Sequence, residues 1–93
     1  MGALNLNDTL NERGSRYGTF IDHARVTQQL KKLMAFQLEV RNKTLDEDQQ
    51  EALDMIAHKI GRIINGDPDY ADSWHDIAGY AQLVADRLNG VER

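Results

Sequence analysis

The amino-acid sequence predicts an all-α fold, a three-helix antiparallel bundle that follows a short N-terminal segment. Three stretches place apolar residues at the i, i+3, i+4 spacing that brings side chains onto one helical face. Each stretch begins with residues typical of helix N-termini, and two of them end at Asn-Gly pairs typical of C-termini. Because 93 residues provide for one domain, we expect an N-terminal segment at 1–18 and a single helical domain at 19–90.

The N-terminal segment is rich in Asn, Gly and Arg, and one or two helical turns are expected at 7–13, with Gly14 as the stop. The first long helix is predicted to begin at Thr19, whose hydroxyl can cap the free amides, with Asp22 three residues on. It should fade around Asn42. Its apolar stripe consists of Val26, Leu30, Leu33, Met34 and Val40.

The second long helix has the clearest start in the chain. Thr44 and Glu47 have the spacing of a capping box, and the acidic residues of this turn favour the positive end of the helix dipole. Asn65-Gly66 supplies the left-handed stop. The apolar stripe of this helix consists of Leu53, Ile56, Ile60, Ile63 and Ile64.

The third long helix is predicted to open at Asp67-Pro68, an Asp cap followed by proline at the first helical position. Trp74 is predicted to be its central core residue, and Asn89-Gly90 ends it. The short link after Gly66 makes the second and third helices adjacent and antiparallel. The apolar stripe of the third helix consists of Tyr70, Trp74, Ile77, Ala81, Val84 and Leu88.

Composition excludes several classes of function. The formal net charge is −4, so duplex nucleic acid, which is bound by clustered Lys and Arg, is not an expected partner. The sequence contains no cysteine, which removes thiol catalysis and cysteine-based zinc sites. No apolar run spans a bilayer and no signal peptide is recognisable, so we expect a cytoplasmic protein without a membrane partner. A domain this small commonly gains buried area by self-association, and a homo-oligomer is expected.

Two helices carry a second stripe of mixed character beside the apolar one. At 100° per residue, Asp72, Asp76, Tyr80, Leu83 and Arg87 share one arc of the third helix, and Ala52, Met55, Lys59 and Arg62 share one arc of the second. Antiparallel packing would bring Arg62 level with Asp72, and Lys59 level with Asp76 or Tyr80. Such charges can be solvated ion pairs of small energetic value. Their apolar neighbours favour a pocket wall or a subunit interface.

Several motifs resemble a family of small phage and prophage proteins catalogued as a domain of unknown function. Residues 52–63 contain Lys-x-x-Arg, residues 66–68 are Gly-Asp-Pro, residues 72–81 contain Asp-x-x-x-Asp-x-x-x-Tyr, and residues 16–18 match an upstream Arg-Tyr-Gly element. The resemblance covers roughly residues 12–88. It implies a phage or prophage origin, hence the cytoplasm of a bacterial host, and brings no known activity.

The chain is also faintly similar to the all-α nucleoside triphosphate pyrophosphohydrolases of the MazG type. That resemblance implies magnesium held by a Glu-Glu-x-x-Glu element and by a later acidic pair, to which Asp72 and Asp76 could correspond. The earlier element is missing, because the second helix offers Lys59 and Arg62 in its place. A magnesium-dependent pyrophosphohydrolase is therefore the alternative hypothesis.

The preferred hypothesis is a non-enzymatic phage accessory protein that needs no cofactor and acts by binding. It would sequester a nucleotide-type ligand or engage a host protein, a role in counter-defence. Lys59 and Arg62 would bind phosphate, with Tyr80 or Trp74 stacking on a base. In this hypothesis Asp72 or Asp76 accepts hydrogen bonds from a ribose or base, and Arg16 and Tyr17 close the site. A third hypothesis is a purely structural protein-binding module whose mixed stripe is the oligomer interface.

One histidine lies on each predicted long helix: His23, His58 and His75. Three histidines can hold zinc, but nothing in the local sequence brings these three together. We therefore expect solvent-facing or hydrogen-bonded histidines and no metal site.

Overall fold

The computed structural model describes residues 5–93, which form four α-helices and no strand. The helices are α1 (Leu6–Tyr17), α2 (Phe20–Val40), α3 (Glu47–Asn65) and α4 (Ala71–Leu88). The all-α prediction is confirmed. The prediction of three helices is wrong, because most of the N-terminal segment forms a further helix of 12 residues.

The helix α1 is longer than predicted at both ends. The side chain of Asn5 accepts a hydrogen bond from the backbone N–H of Asp8 at 2.8 Å and caps the helix. Gly14 remains helical and does not end it. The end comes at Gly18, whose φ of 77° is open to glycine and strained for other residues. Gly66 ends α3 as predicted, but with a φ of −122° and not with the predicted left-handed backbone.

The starts of α3 and α4 differ from the predicted ones. The capping box of α3 is formed by Asp46 and Gln49, whose side chain accepts from the Asp46 N–H at 2.9 Å, and does not involve Thr44. The helix α4 begins after Tyr70 and not at Pro68. The carboxylate of Asp67 accepts from the N–H of Asp69 at 2.9 Å, so it closes a turn before the helix instead of capping it.

The long helices form a single layer with α3 in the middle. The helix α3 packs against α2 on one side and α4 on the other, and within residues 5–93 α2 does not contact α4. The helix α1 contacts α3 and α2. The described chain measures 49 × 31 × 24 Å, as expected of a layer rather than a closed bundle. None of its helices has the length and apolar character needed to cross a bilayer.

The interior of the described chain is small and mostly polar. Its buried apolar side chains are those of two alanines, Ala52 and Ala57, and its buried polar residues are His23, Thr27, Lys59, Ser73 and Asp86. The prediction that Trp74 is the central core residue is wrong, since Trp74 is 55% exposed and donates its indole N–H to the carbonyl of Pro68. The neighbouring Ser73 is buried in its place.

The contact between α2 and α3 depends on the absence of a side chain at Gly61. A Cβ at this position would lie 2.6 Å from Oγ1 of Thr27 and 3.0 Å from the ring of His23. We expect Gly61→Ala to force the two helices apart and to cost about 1–3 kcal/mol of unfolding free energy. Thermal unfolding followed by circular dichroism measures the loss. Gly79→Ala is the matched control: an added Cβ meets no atom within 4 Å, so this variant should be as stable as the wild type or more stable.

Candidate functional site

The structure divides the predicted site residues into two groups. Arg16, Tyr17 and Arg62 come together where α1 meets the end of α3. The other predicted residues, Lys59, Asp72, Asp76 and Tyr80, lie along α3 and α4. Arg62 contacts the ring of Tyr17, and the cavities that Arg62 lines do not include Tyr80. The structure therefore does not bring Arg62 together with Asp72 or Tyr80.

Lys59 and Asp76 form an ion pair between α3 and α4, as their spacing predicts. The Lys59 Nζ lies 2.9 Å from a carboxylate oxygen of Asp76, and the lysine is buried. The hydrogen bond from Lys59 holds the pKa of the Asp76 carboxyl below its usual value. This ammonium is already neutralised by its partner. The pair therefore joins the two helices and is poorly placed to receive a phosphate.

The remaining carboxylates of α4 are each engaged separately. Asp72 accepts a hydrogen bond from the phenol of Tyr70 at 2.9 Å, which raises the pKa of that phenol. Asp86 pairs with Arg93, and Tyr80 lines a cavity of about 560 Å³ beside both of them. Within residues 5–93, no three His, Asp or Glu side chains converge as metal ligands would. The residues present do not fit the magnesium site that the pyrophosphohydrolase hypothesis requires.

The end of α1 is fixed by contacts between two turns. The Asn65 side chain donates hydrogen bonds to the carbonyls of Tyr17 and Thr19 at 2.8 and 2.9 Å. The backbone N–H of Asp67 donates to the carbonyl of Arg16 at 2.6 Å. A Cβ on Gly66 would overlap that same carbonyl. The Arg-Tyr-Gly and Gly-Asp-Pro motifs of the sequence therefore belong to one packing contact.

Cations and aromatic rings alternate beside these turns. The guanidinium carbon of Arg62 lies 4.3 Å from the centre of the Tyr17 ring, and that of Arg16 lies 4.6 Å from the centre of the Tyr70 ring. The two tyrosine rings meet edge to face, with centres 6.2 Å apart. The cation–π contact with Tyr17 holds the guanidinium of Arg62 in a fixed orientation.

A cavity of about 580 Å³ opens between α1, the start of α2 and the end of α3. We name it the arginine pocket; its polar and aromatic lining is Arg13, Tyr17, Thr19, Phe20, His23, His58 and Arg62. None of the described residues that line it is a carboxylate. Within the described chain, neither Arg13 nor Arg62 has an ion-pair partner. A smaller cavity of about 270 Å³ adjoins it and shares Arg13, Tyr17 and Arg62.

The floor of the arginine pocket is a pair of histidines, His23 and His58. Their ring nitrogens Nε2 and Nδ1 lie 3.2 Å apart, and one donates to the other. Burial and the positive charge of Arg62 lower the pKa of His23, and the same causes lower that of His58 to about 4. Both rings are therefore neutral at pH 7. Of the two expected states, solvent-facing or hydrogen-bonded, this pair is in the hydrogen-bonded one.

Sequence reasoning did not identify Arg13, Phe20, His23 and His58 as site residues. Their convergence depends on the register between helices, which local spacing does not reveal. One signal was present in α3, where the small residues Ala57 and Gly61 follow each other at i, i+4. Small residues on one helical face permit a close helix contact.

Comparison with known proteins identifies a family but no activity. Residues 6–88 match the domain of unknown function DUF6378, from the first residue of α1 to the last residue of α4. Neither a curated protein nor a solved structure is significantly similar to the chain. The resemblance to a family of unknown function is confirmed, and it includes α1. The chain belongs to the family defined by the domain of unknown function DUF6378.

Proposed function

We propose that this protein binds a small phosphorylated ligand in the arginine pocket and acts without catalysis. One observation supports this most strongly. In a chain of net charge −4, the described lining of this cavity contains no carboxylate, and its two arginines form no ion pair with an acidic side chain of the described residues. Unneutralised guanidinium groups beside a cavity favour an anion as the occupant.

The donors of the pocket suit phosphate. Arg13 and Arg62 offer planar guanidinium groups that can each bind phosphate oxygens through paired hydrogen bonds. The neutral imidazoles of His23 and His58 add hydrogen-bonding nitrogens without adding charge. A volume of about 580 Å³ falls within the range of small-molecule sites.

An aromatic ring at the edge of the pocket extends the proposal to nucleotides. Phe20 lines the cavity and is 81% exposed, so its ring face is open to a planar base. The predicted stacking residues are less well placed. Trp74 donates its indole N–H to the turn before α4, and Tyr80 lines a different cavity. The proposal therefore transfers the stacking role to Phe20.

The biological role is proposed from the sequence resemblance. A phage or prophage accessory protein could sequester such a ligand in the cytoplasm of a bacterial host. The working form is proposed to be a homo-oligomer, because the apolar interior of the described chain is limited to alanines.

Calorimetric titration with linear and cyclic nucleotides, mono- to triphosphate, tests the ligand proposal. We expect one or more nucleotides to bind, and Arg62→Ala to weaken binding by about 10- to 100-fold, the value of hydrogen bonds to a charged group. Arg25→Ala is the matched control, since Arg25 pairs with Asp22 on the exposed surface of α2. No binding across the series, or an equal loss in both variants, would contradict the proposal.

The same series distinguishes binding from turnover. Release of pyrophosphate from nucleoside triphosphates with magnesium or manganese, abolished by Asp76→Asn, would replace the proposal with the pyrophosphohydrolase hypothesis. We expect no turnover.

A further inference from the structure

One side of the helical layer exposes large apolar side chains from all three long helices. Leu33 is 56% exposed and Ile64 is 65% exposed, far more than residues of a hydrophobic core. We name this surface the apolar face; it consists of Val26, Leu33 and Val40 on α2, Leu53, Ile60 and Ile64 on α3, and Trp74, Ala81 and Leu88 on α4. These residues make up much of the three apolar stripes that the sequence predicts.

The orientation of α3 defines the two sides of the layer. Gly61 lies against α2, and Lys59 reaches α4 through its ion pair. At 100° per residue, Leu53, Ile60 and Ile64 lie on one side between these two directions. The polar residues of α3, including Arg62, lie on the opposite side.

The flanking helices turn apolar residues to the same side. On α2, His23 and Thr27 are buried towards α3, and Val26, Leu33 and Val40 lie about a quarter turn away at seven-residue spacing. On α4, the residues of the face are also spaced by seven, at 74, 81 and 88. Seven-residue spacing is the repeat of helices that pack lengthwise on other helices. On α3 and α4 no charged residue lies within this arc, and on α2 the arc includes Asp22 in the first turn of the helix.

We propose that the apolar face is the interface with a second copy of this chain, each copy presenting the same face to the other. The described chain buries no large apolar side chain fully, so its fold needs a partner to stabilise it. A second copy is present whenever the chain is made, and it carries the same apolar face. Pairing of identical faces gives a closed dimer with twofold symmetry.

The size of the face fits a stable dimer. Helices of 18 to 21 residues extend about 27–31 Å, and three neighbouring helices with axes about 8–10 Å apart cover a width of roughly 28 Å. The area is roughly 800 Å² on each copy, which is the typical contribution of one partner to a stable interface.

This inference rests on the proposed homo-oligomeric form and not on ligand binding. Arg62 and His58 project from α3 on the side away from Ile60 and Ile64. In the dimer the two arginine pockets therefore face outward and stay open. The mixed stripe of α3 and α4 is not the interface.

Sedimentation equilibrium over a wide concentration range tests the dimer. We expect the wild type to have twice the 10.6 kDa mass of one chain, and Leu33→Glu to raise the dimer dissociation constant at least about 100-fold. Ile21→Glu is the matched control: it lies on the same helix, is 58% exposed, and does not belong to the apolar face. It should stay dimeric.

A second variant covers the case in which Leu33→Glu unfolds. Leu88 is the last residue of α4, where a substitution disturbs folding least, and Leu88→Glu should also weaken the dimer. If Leu33→Glu unfolds while Ile21→Glu stays folded, the result supports a fold that requires a partner.

A monomeric wild type, or variants that dimerise as the wild type does, would overturn the inference. Calorimetric titration of the same samples keeps the two proposals apart, since a monomer that still binds nucleotide contradicts only the dimer.

Discussion

Replacing Gly66 by alanine is expected to detach α1 from the turn between α3 and α4. The added Cβ would overlap the carbonyl oxygen of Arg16 and the Cα of Tyr17, and backbone atoms cannot move aside as a flexible side chain can. Separation breaks the hydrogen bonds from Asn65 and Asp67 to the end of α1. Each of these hydrogen bonds contributes about 1 kcal/mol, and the ring contacts are lost with them. We therefore expect Gly66→Ala to lower the free energy of unfolding by roughly 2–4 kcal/mol.

Thermal unfolding and hydrogen exchange measure this effect together. A cost of that size lowers the unfolding midpoint of a domain this small by about 10 °C or more. The backbone amides of α1 should exchange faster than those of α3. Gly14→Ala is the control within α1, because a Cβ there meets no atom within 4 Å. If Gly66→Ala melted no earlier than Gly14→Ala, the packing described for the two turns would be incorrect.

Acid is expected to destabilise the protein between pH 6.5 and about 4, before its carboxylates titrate. Burial and Arg62 lower the pKa of His58 from 6.5 to about 4, and they also lower the pKa of His23. A histidine with a lowered folded-state pKa takes up its proton more readily in the unfolded chain. Its contribution to stability is therefore complete above pH 6.5 and is lost as the pH falls towards 4.

The lowering of the His58 pKa corresponds to a contribution of at most roughly 3 kcal/mol to the free energy of unfolding. Partial exposure of the ring to solvent reduces this contribution to about 1–2 kcal/mol. Urea unfolding at a series of pH values measures it. We expect His58→Gln to flatten the dependence between pH 6.5 and 4, whereas His75→Gln, an exposed position on α4, keeps the wild-type slope. The carboxyls of Asp48 and Asp76, whose pKa values are lowered by Arg87 and Lys59, contribute stability that is lost mainly as the pH falls below about 4. An unchanged slope in His58→Gln would refute the assignment.

The sequence predicts the long helices well and the contacts between them poorly. Apolar spacing locates α2, α3 and α4, although not the starts of α3 and α4, because periodicity reports which residues share a face. It does not report what covers that face. The predicted core stripe of α2 includes Leu33 and Val40, which the structure leaves exposed. The helices meet instead through small and polar residues such as Thr27 and Gly61.

The candidate site was predictable where it depended on spacing within one helix or on neighbouring antiparallel helices. The Lys59–Asp76 pair follows from such spacing. The arginine pocket does not, because Arg13 belongs to a helix that the sequence shows only weakly. The packing of that helix depends on backbone contacts at Gly66, for which side-chain patterns give no signal.

The separate origins of the two pocket arginines couple binding to the conformation of the chain. Arg13 belongs to α1 and Arg62 to α3, so an anion held by both guanidinium groups links the first helix to the third. Such an anion binds more tightly to the conformation in which these helices are joined than to one in which they are apart. Binding therefore increases the population of the joined conformation, and the difference between the two affinities sets the size of the increase. Reciprocally, a change that loosens the first helix lowers the affinity of the anion in proportion to the fraction of molecules that leave the joined conformation.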